Sequence, residues 1–128
     1  MIRVLPIQLK SEQDELCHRF NTEYIPEAMA YQAIDDEGNP TGICQFTLTG
    51  GIGHLLCLEA ESPMSSFDIL FTLGRATLSF IELCGIKKAF YDGKITDEVL
   101  LGAIGFKKNS DGKYLADLTS LFNSPCCK

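Results

Sequence analysis

At 128 residues, with 45% hydrophobic and 22% charged side chains, the chain has the size of one compact domain and is too apolar to remain disordered. Its formal charge of −6 repels a phosphate backbone and its lysines fall in scattered pairs such as Lys87-Lys88 and Lys107-Lys108, so no nucleic-acid partner is expected. No apolar run approaches the roughly 20 residues that span a bilayer and the N-terminus lacks a signal-peptide apolar region, so a cytoplasmic protein with no membrane partner is expected.

In chain order, Ile2 to Ile7 reads as a short strand with both faces partly covered, and Pro6 marks an edge position. Ser11 precedes Asp14 by three, as in a capping box, and Leu16, Cys17 and Phe20 share one helical face, which predicts a helix over Ser11 to Phe20. A loop from Asn21 to Glu27 carries Tyr24 and Pro26. Strands follow at Ala28 to Ile34 and Gly42 to Thr49, joined by the turn formers Asp35 to Pro40. Gly50-Gly51-Ile52-Gly53 reads as a tight hairpin rather than a phosphate loop, because a strand, His54 to Ala60, follows it where a phosphate loop needs a helix.

From Ser66 to Cys84 the polar residues Asp68, Thr72, Arg75, Ser79 and Glu82 recur every three or four positions amid apolar neighbours. That is a helix with one narrow wet stripe, suited to crossing a sheet between parallel strands. Lys88 to Tyr91 is the second of those strands. Thr96-Asp97 caps a short helix over Glu98 to Ile104 that Gly105 ends, and Asn109 to Gly112 separates two strands of a final hairpin, Phe106 to Lys108 and Lys113 to Leu118. One domain over 1–122 is expected, followed by a flexible tail, 123–128.

The cysteines divide by context. Cys17, Cys44, Cys57 and Cys84 sit in helix or strand patterns and read as buried small hydrophobes, whereas Cys126-Cys127 lies in the tail. No Cys-x-x-Cys pair is present and His18 and His54 stand far apart in sequence, so no metal site is expected. His54 opens a strand and reads as a surface residue there.

The order strand, helix, three-strand meander, long helix, parallel strand, short helix, hairpin resembles the GNAT-type N-acetyltransferase superfamily over residues 1 to about 120. Local matches are Asp36-Glu37-Gly38-Asn39-Pro40-Thr41-Gly42, Gly85-Ile86-Lys87-Lys88 and Gly105-Phe106-Lys107. The resemblance implies an α+β (mixed α/β) fold, a twisted mixed sheet of about six or seven strands with helices on both faces. It further implies acetyl-CoA as cofactor, a small-molecule or peptide amine as acceptor, and acyl transfer in a cleft where the fourth and fifth strands splay. The cofactor's phosphates would meet backbone N–H groups of Met64, Ser65, Ser66, Phe67 and Asp68, and Glu59 or Glu61 would deprotonate the amine.

The chain departs from the family pattern in two places. The segment Glu61 to Asp68 holds neither the basic residue nor the glycines of the family's pyrophosphate loop, and counting back from Gly85 puts Asp68 and Leu70 near the glycine positions. Counting back from Gly105 puts Leu101 where the family carries a tyrosine acid, a role that Tyr91 or Tyr24 can fill only if the fold brings it to the cleft. A divergent acyltransferase and a catalytically silent GNAT-like binding module are therefore both carried forward. Homodimerisation through a sheet edge or the apolar Leu118 to Phe122 segment is a further expectation.

Overall fold

Pro6 cannot donate to a ladder, and it ends a strand at the sheet's rim, as that chemistry requires. In the computed structural model, which describes residues 2–61 and 66–122, β1 (Arg3–Pro6) pairs antiparallel with β2 (Met29–Ile34). Next come β3 (Pro40–Thr49) and β4 (Ile52–Ala60), which complete the meander. β5 (Lys88–Tyr91) joins β4 in parallel, and the hairpin of β6 (Lys107–Lys108) and β7 (Tyr114–Asp117) closes a seven-stranded sheet of order β1-β2-β3-β4-β5-β7-β6. The mixed sheet and the expected strand count are both realised.

Helices cover both faces. α1 (Lys10–Arg19) lays Leu16, Cys17 and Phe20 against Ile7, Ala30 and Ile43 on one face. On the other, α2 (Ser66–Leu83) presents Leu70, Leu73, Leu78 and Ile81 to Cys44, Phe46, Leu55, Leu58 and Ala89, and α3 (Glu98–Ile104) adds Leu100, Leu101 and Ile104. Strand alternation makes this division possible, since Ile43 and Gln45 point to the α1 face while Cys44 and Phe46 point to α2. α2 lies close to the sheet because Gly53 has no side chain: a Cβ there would come within 2.9 Å of Ile81.

Three sequence expectations need correction. The capping box at Ser11 does not form: α1 starts at Lys10, its N-cap is Leu9 in extended backbone, and no side chain caps it. A tertiary contact sets that start, because Lys10 Nζ donates to Ala28 O at 2.6 Å and to Gln13 Oε1 at 3.2 Å. Cys84 is exposed, one residue beyond the end of α2, so three of the four cysteines read as buried are so. The Leu118 to Phe122 segment folds as α4 (Leu118–Phe122) and buries Leu118 in the core beside α2 rather than presenting a free apolar tail. The tail 123–128, with Cys126 and Cys127, lies outside the described residues. No helix among the described residues is long and apolar enough to cross a membrane.

Candidate functional site

The sheet opens at one place. β4 and β5 pair in parallel through Gly53↔Ala89, His54↔Phe90 and Leu55↔Tyr91, and the Asp92 N–H then donates to Leu55 O at 2.8 Å. Beyond Leu55, β4 runs on to Ala60 paired with β3 alone among the described residues. The cause is local: the β3–β4 register steps from Gln45↔Cys57 to Phe46↔Leu55, leaving Leu56 as an extra residue. A bulge of this kind bends its strand, and here it falls where β4 leaves β5.

The opening has polar walls. Glu59 on β4 is half-buried, and burial raises its carboxyl pKa above the usual value while the Lys94 ammonium partly offsets the rise. Tyr91, the last residue of β5, is buried against Phe106 with ring centroids 5.7 Å apart. Its hydroxyl accepts the Ile95 N–H at 2.8 Å, which leaves its own hydrogen to donate elsewhere. Burial pushes that phenol's pKa well up, the Ile95 hydrogen bond opposes the rise, and the nearby Glu59 carboxylate adds to it. Gly93 lets the loop fold over the ring, since a Cβ there would collide with the Tyr91 hydroxyl. Tyr91 thus sits where the parallel pairing stops, in the core on the α2 face, whereas Tyr24 packs beside α1 on the opposite face. Leu101 is fully buried in the core.

The first turn of α2 lies over the ends of β3 and β4. A Cβ on Gly42 would come within 3.0 Å of both Glu59 O and Ile69 Cγ2, so strand end and helix start meet there. Of the expected phosphate-binding residues, Ser66, Phe67 and Asp68 lie in that turn, the last two exposed; Met64 and Ser65 lie outside the described residues. Glu61 is engaged elsewhere: Arg19 Nη2 donates to its Oε1 at 3.2 Å and its Oε2 at 3.4 Å, tying the end of α1 to the end of β4 at the surface.

The Asn21 to Glu27 loop is pinned from beneath. Gln13 and Gln45, both buried, share a 2.9 Å hydrogen bond. Gln45 accepts the Ile25 N–H at 2.9 Å and donates to Glu23 O at 2.7 Å, while Gln13 donates to Ile25 O at 3.2 Å. The buried thiols nearby are inert: burial first, then the neighbouring Cys57 and Asp14, push Cys17 up to about 12, and burial raises Cys57 as well.

One constellation escaped the sequence reading. His54 Nδ1 lies 2.8 Å from Asp92 Oδ2, and the imidazole stacks on Phe90 with centroids 5.7 Å apart. Parallel pairing brings these residues together across 38 positions of chain, and no local spacing signals it.

No protein-family model matches this chain, and no curated protein matches it. Solved structures do. An acetyltransferase of the GNAT family from Staphylococcus aureus superposes with a TM-score of 0.66 at 14% identity, over 92% of this chain and 99% of that one. The fold is that of the GNAT acetyltransferases. A PaiA N-acetyltransferase from Thermoplasma acidophilum, solved in complex with coenzyme A, gives a TM-score of 0.69 at 11% identity, over 91% and 99% of the two chains. The spermidine/spermine N-acetyltransferase SpeG from Vibrio cholerae, in mutant forms, gives 0.72 at 9% identity, over 98% and 99%.

Proposed function

We propose that this chain is an acyl-CoA-dependent N-acyltransferase that works in the β4–β5 opening. The observation that carries the reading is the parting of the two parallel strands immediately after Leu55↔Tyr91, with a half-buried carboxylate and a protonated phenol on its walls. An extended, amide-bearing arm fits along the β5 side of β4 as an added strand would. The start of α2, at Ser66 and Phe67, offers N-terminal backbone donors to phosphates. Glu59, made more basic than a free glutamate by burial of its carboxyl, takes the first proton from an acceptor ammonium. Glu61, paired with Arg19, serves the rim of the acceptor side, and Tyr91 returns a proton to the departing thiolate. A cationic small-molecule or peptide amine is the acceptor class that the Glu59 carboxylate at the cleft favours.

A second reading rests on one observation. The first turn of α2 carries the exposed carboxylate Asp68 and no basic side chain, which opposes a diphosphate at that site. A GNAT-fold module that binds a ligand without chemistry accommodates this feature more easily than an acyltransferase does. Acetyl-CoA titrated by calorimetry, followed by thiol release with spermidine or a short peptide as acceptor, separates the two. Binding with turnover supports the transferase, binding without turnover supports the silent module, and no binding at millimolar ligand rejects the acyl-CoA site.

A further inference from the structure

The acceptor nitrogen gives up two protons between ammonium and amide, one before attack and one as the C–N bond closes, and the proposed function supplies a group only for the first. We infer that His54, oriented by Asp92, accepts the second. The argument rests on that acyl-transfer reading and on four features of this chain.

The first is place. His54 is the β4 residue just before Leu55, the last to pair with β5, so its side chain stands at the closed end of the opening. Glu59 lies five residues further along, which at about 3.3 Å per residue puts it up to roughly 16 Å towards the mouth. A thioester carbonyl at the bulge of Leu56 therefore has the imidazole close beside it and the glutamate further out. The second is direction. His54 alternates with Leu55, whose side chain joins the α2 core, so the imidazole points to the opposite face, the one α1 covers only in part. The acceptor therefore comes from the face opposite the α2 core.

The third is tautomer. A carboxylate only accepts, so at 2.8 Å the Nδ1–H of His54 donates to Asp92 Oδ2. That bond leaves the Nε2 lone pair free to receive a proton. The fourth is rigidity. Asp92 is held through its own N–H to Leu55 O at 2.8 Å, and Phe90 backs the imidazole plane from the neighbouring strand. Both partners are fixed to β4 by the register that ends the parallel pairing. Side chains of His54 and Asp92 retain 31% and 43% exposure, enough for the accepted proton to pass to solvent.

The step balances. As the neutral amine attacks the thioester carbonyl, the C–N bond forms and its proton moves to His54 Nε2. The C–S bond then breaks and the thiolate leaves with a proton from Tyr91; of the two protons held by Glu59 and His54, one restores the Tyr91 phenol through solvent and the other is released to water. Asp92 is a positioning residue, holding the tautomer and stabilising the imidazolium.

Wild-type protein and the His54→Gln, His54→Ala and Asp92→Asn variants test this with acetyl-CoA and spermidine or a short peptide. Long-range 15N–1H correlation on the wild type should show neutral His54 protonated on Nδ1, and Asp92→Asn should shift that tautomer. All four proteins should bind acetyl-CoA with equal affinity. His54→Gln should lower kcat by about 10²–10⁴-fold at unchanged KM for acetyl-CoA, and added imidazole should restore activity to His54→Ala but not to His54→Gln. Full activity in His54→Ala, or an Nε2-protonated imidazole in the wild type, overturns the assignment while leaving acyl transfer in place. A wild type that binds acetyl-CoA without turnover overturns both the assignment and N-acyl transfer, and one that does not bind it rejects the cleft reading from which the assignment follows.

Discussion

Gln45 is a polar side chain inside a hydrophobic protein, and its hydrogen bonds explain why it is tolerated. It accepts from Gln13 and from the Ile25 backbone and donates to Glu23 O and the Cys57 thiol at 3.2 Å. Replacing it by leucine leaves those buried partners unsatisfied, so Gln45→Leu should lower the unfolding free energy by about 2 kcal/mol in urea titrations. Glu59 works in the opposite sense. Its folded pKa lies above its unfolded value, so its contribution to stability is complete below the unfolded pKa and is lost as pH rises through the folded one. The Glu59→Gln protein should therefore match the wild type in Tm near about pH 4 and exceed it near about pH 7. A Tm difference independent of pH would contradict that burial is the cause. Asp68→Asn removes like charge from the proposed phosphate site and should tighten acetyl-CoA binding several-fold, about 1 kcal/mol. Single residues were the least legible level of this sequence. Glu59 was named as a candidate by analogy with the glutamates that the family resemblance implies on that strand, whereas His54 read as a surface residue because Asp92, 2.8 Å away, is adjacent only through parallel pairing.

The elements were more legible, and where they differ from expectation the cause is tertiary. Asp97 was read as a helix cap and is one: its Oδ1 accepts from Val99 N at 3.0 Å and Leu100 N at 3.2 Å. Asp97→Ala should cost about 1 kcal/mol of stability, measured by chemical denaturation, with α3 amides exchanging faster. Ser11 carried the same kind of signal and does not cap α1, because Lys10 reaching Ala28 O fixes the helix start. α4 was missed because Leu118 to Phe122 is too short to show a period, and packing on α2 and β7 is what makes it helical. The bulge at Leu56 was equally silent in sequence. A nearly continuous apolar run fits a regular central strand as well as a bulged one, and only the register against β3 distinguishes them.

At the scale of the whole molecule, the crossover helix, the parallel pair and the bulge together build an opening between β4 and β5, the feature from which the proposed chemistry follows. The fold was legible because element order and turn residues repeat a known arrangement. The activity was not, because the segment Glu61 to Asp68 differs in charge and in glycine content from the pyrophosphate loop that the resemblance implies. Function therefore turns on whether the opening takes an acyl-CoA. The most direct measurement is an acetyl-CoA titration followed by backbone amide NMR of the full chain. The account predicts saturable shifts concentrated at Leu55 to Glu59, Asp92 to Ile95 and Ser66 to Asp68; no shifts at millimolar ligand, or shifts confined to other parts of the sheet, would contradict it.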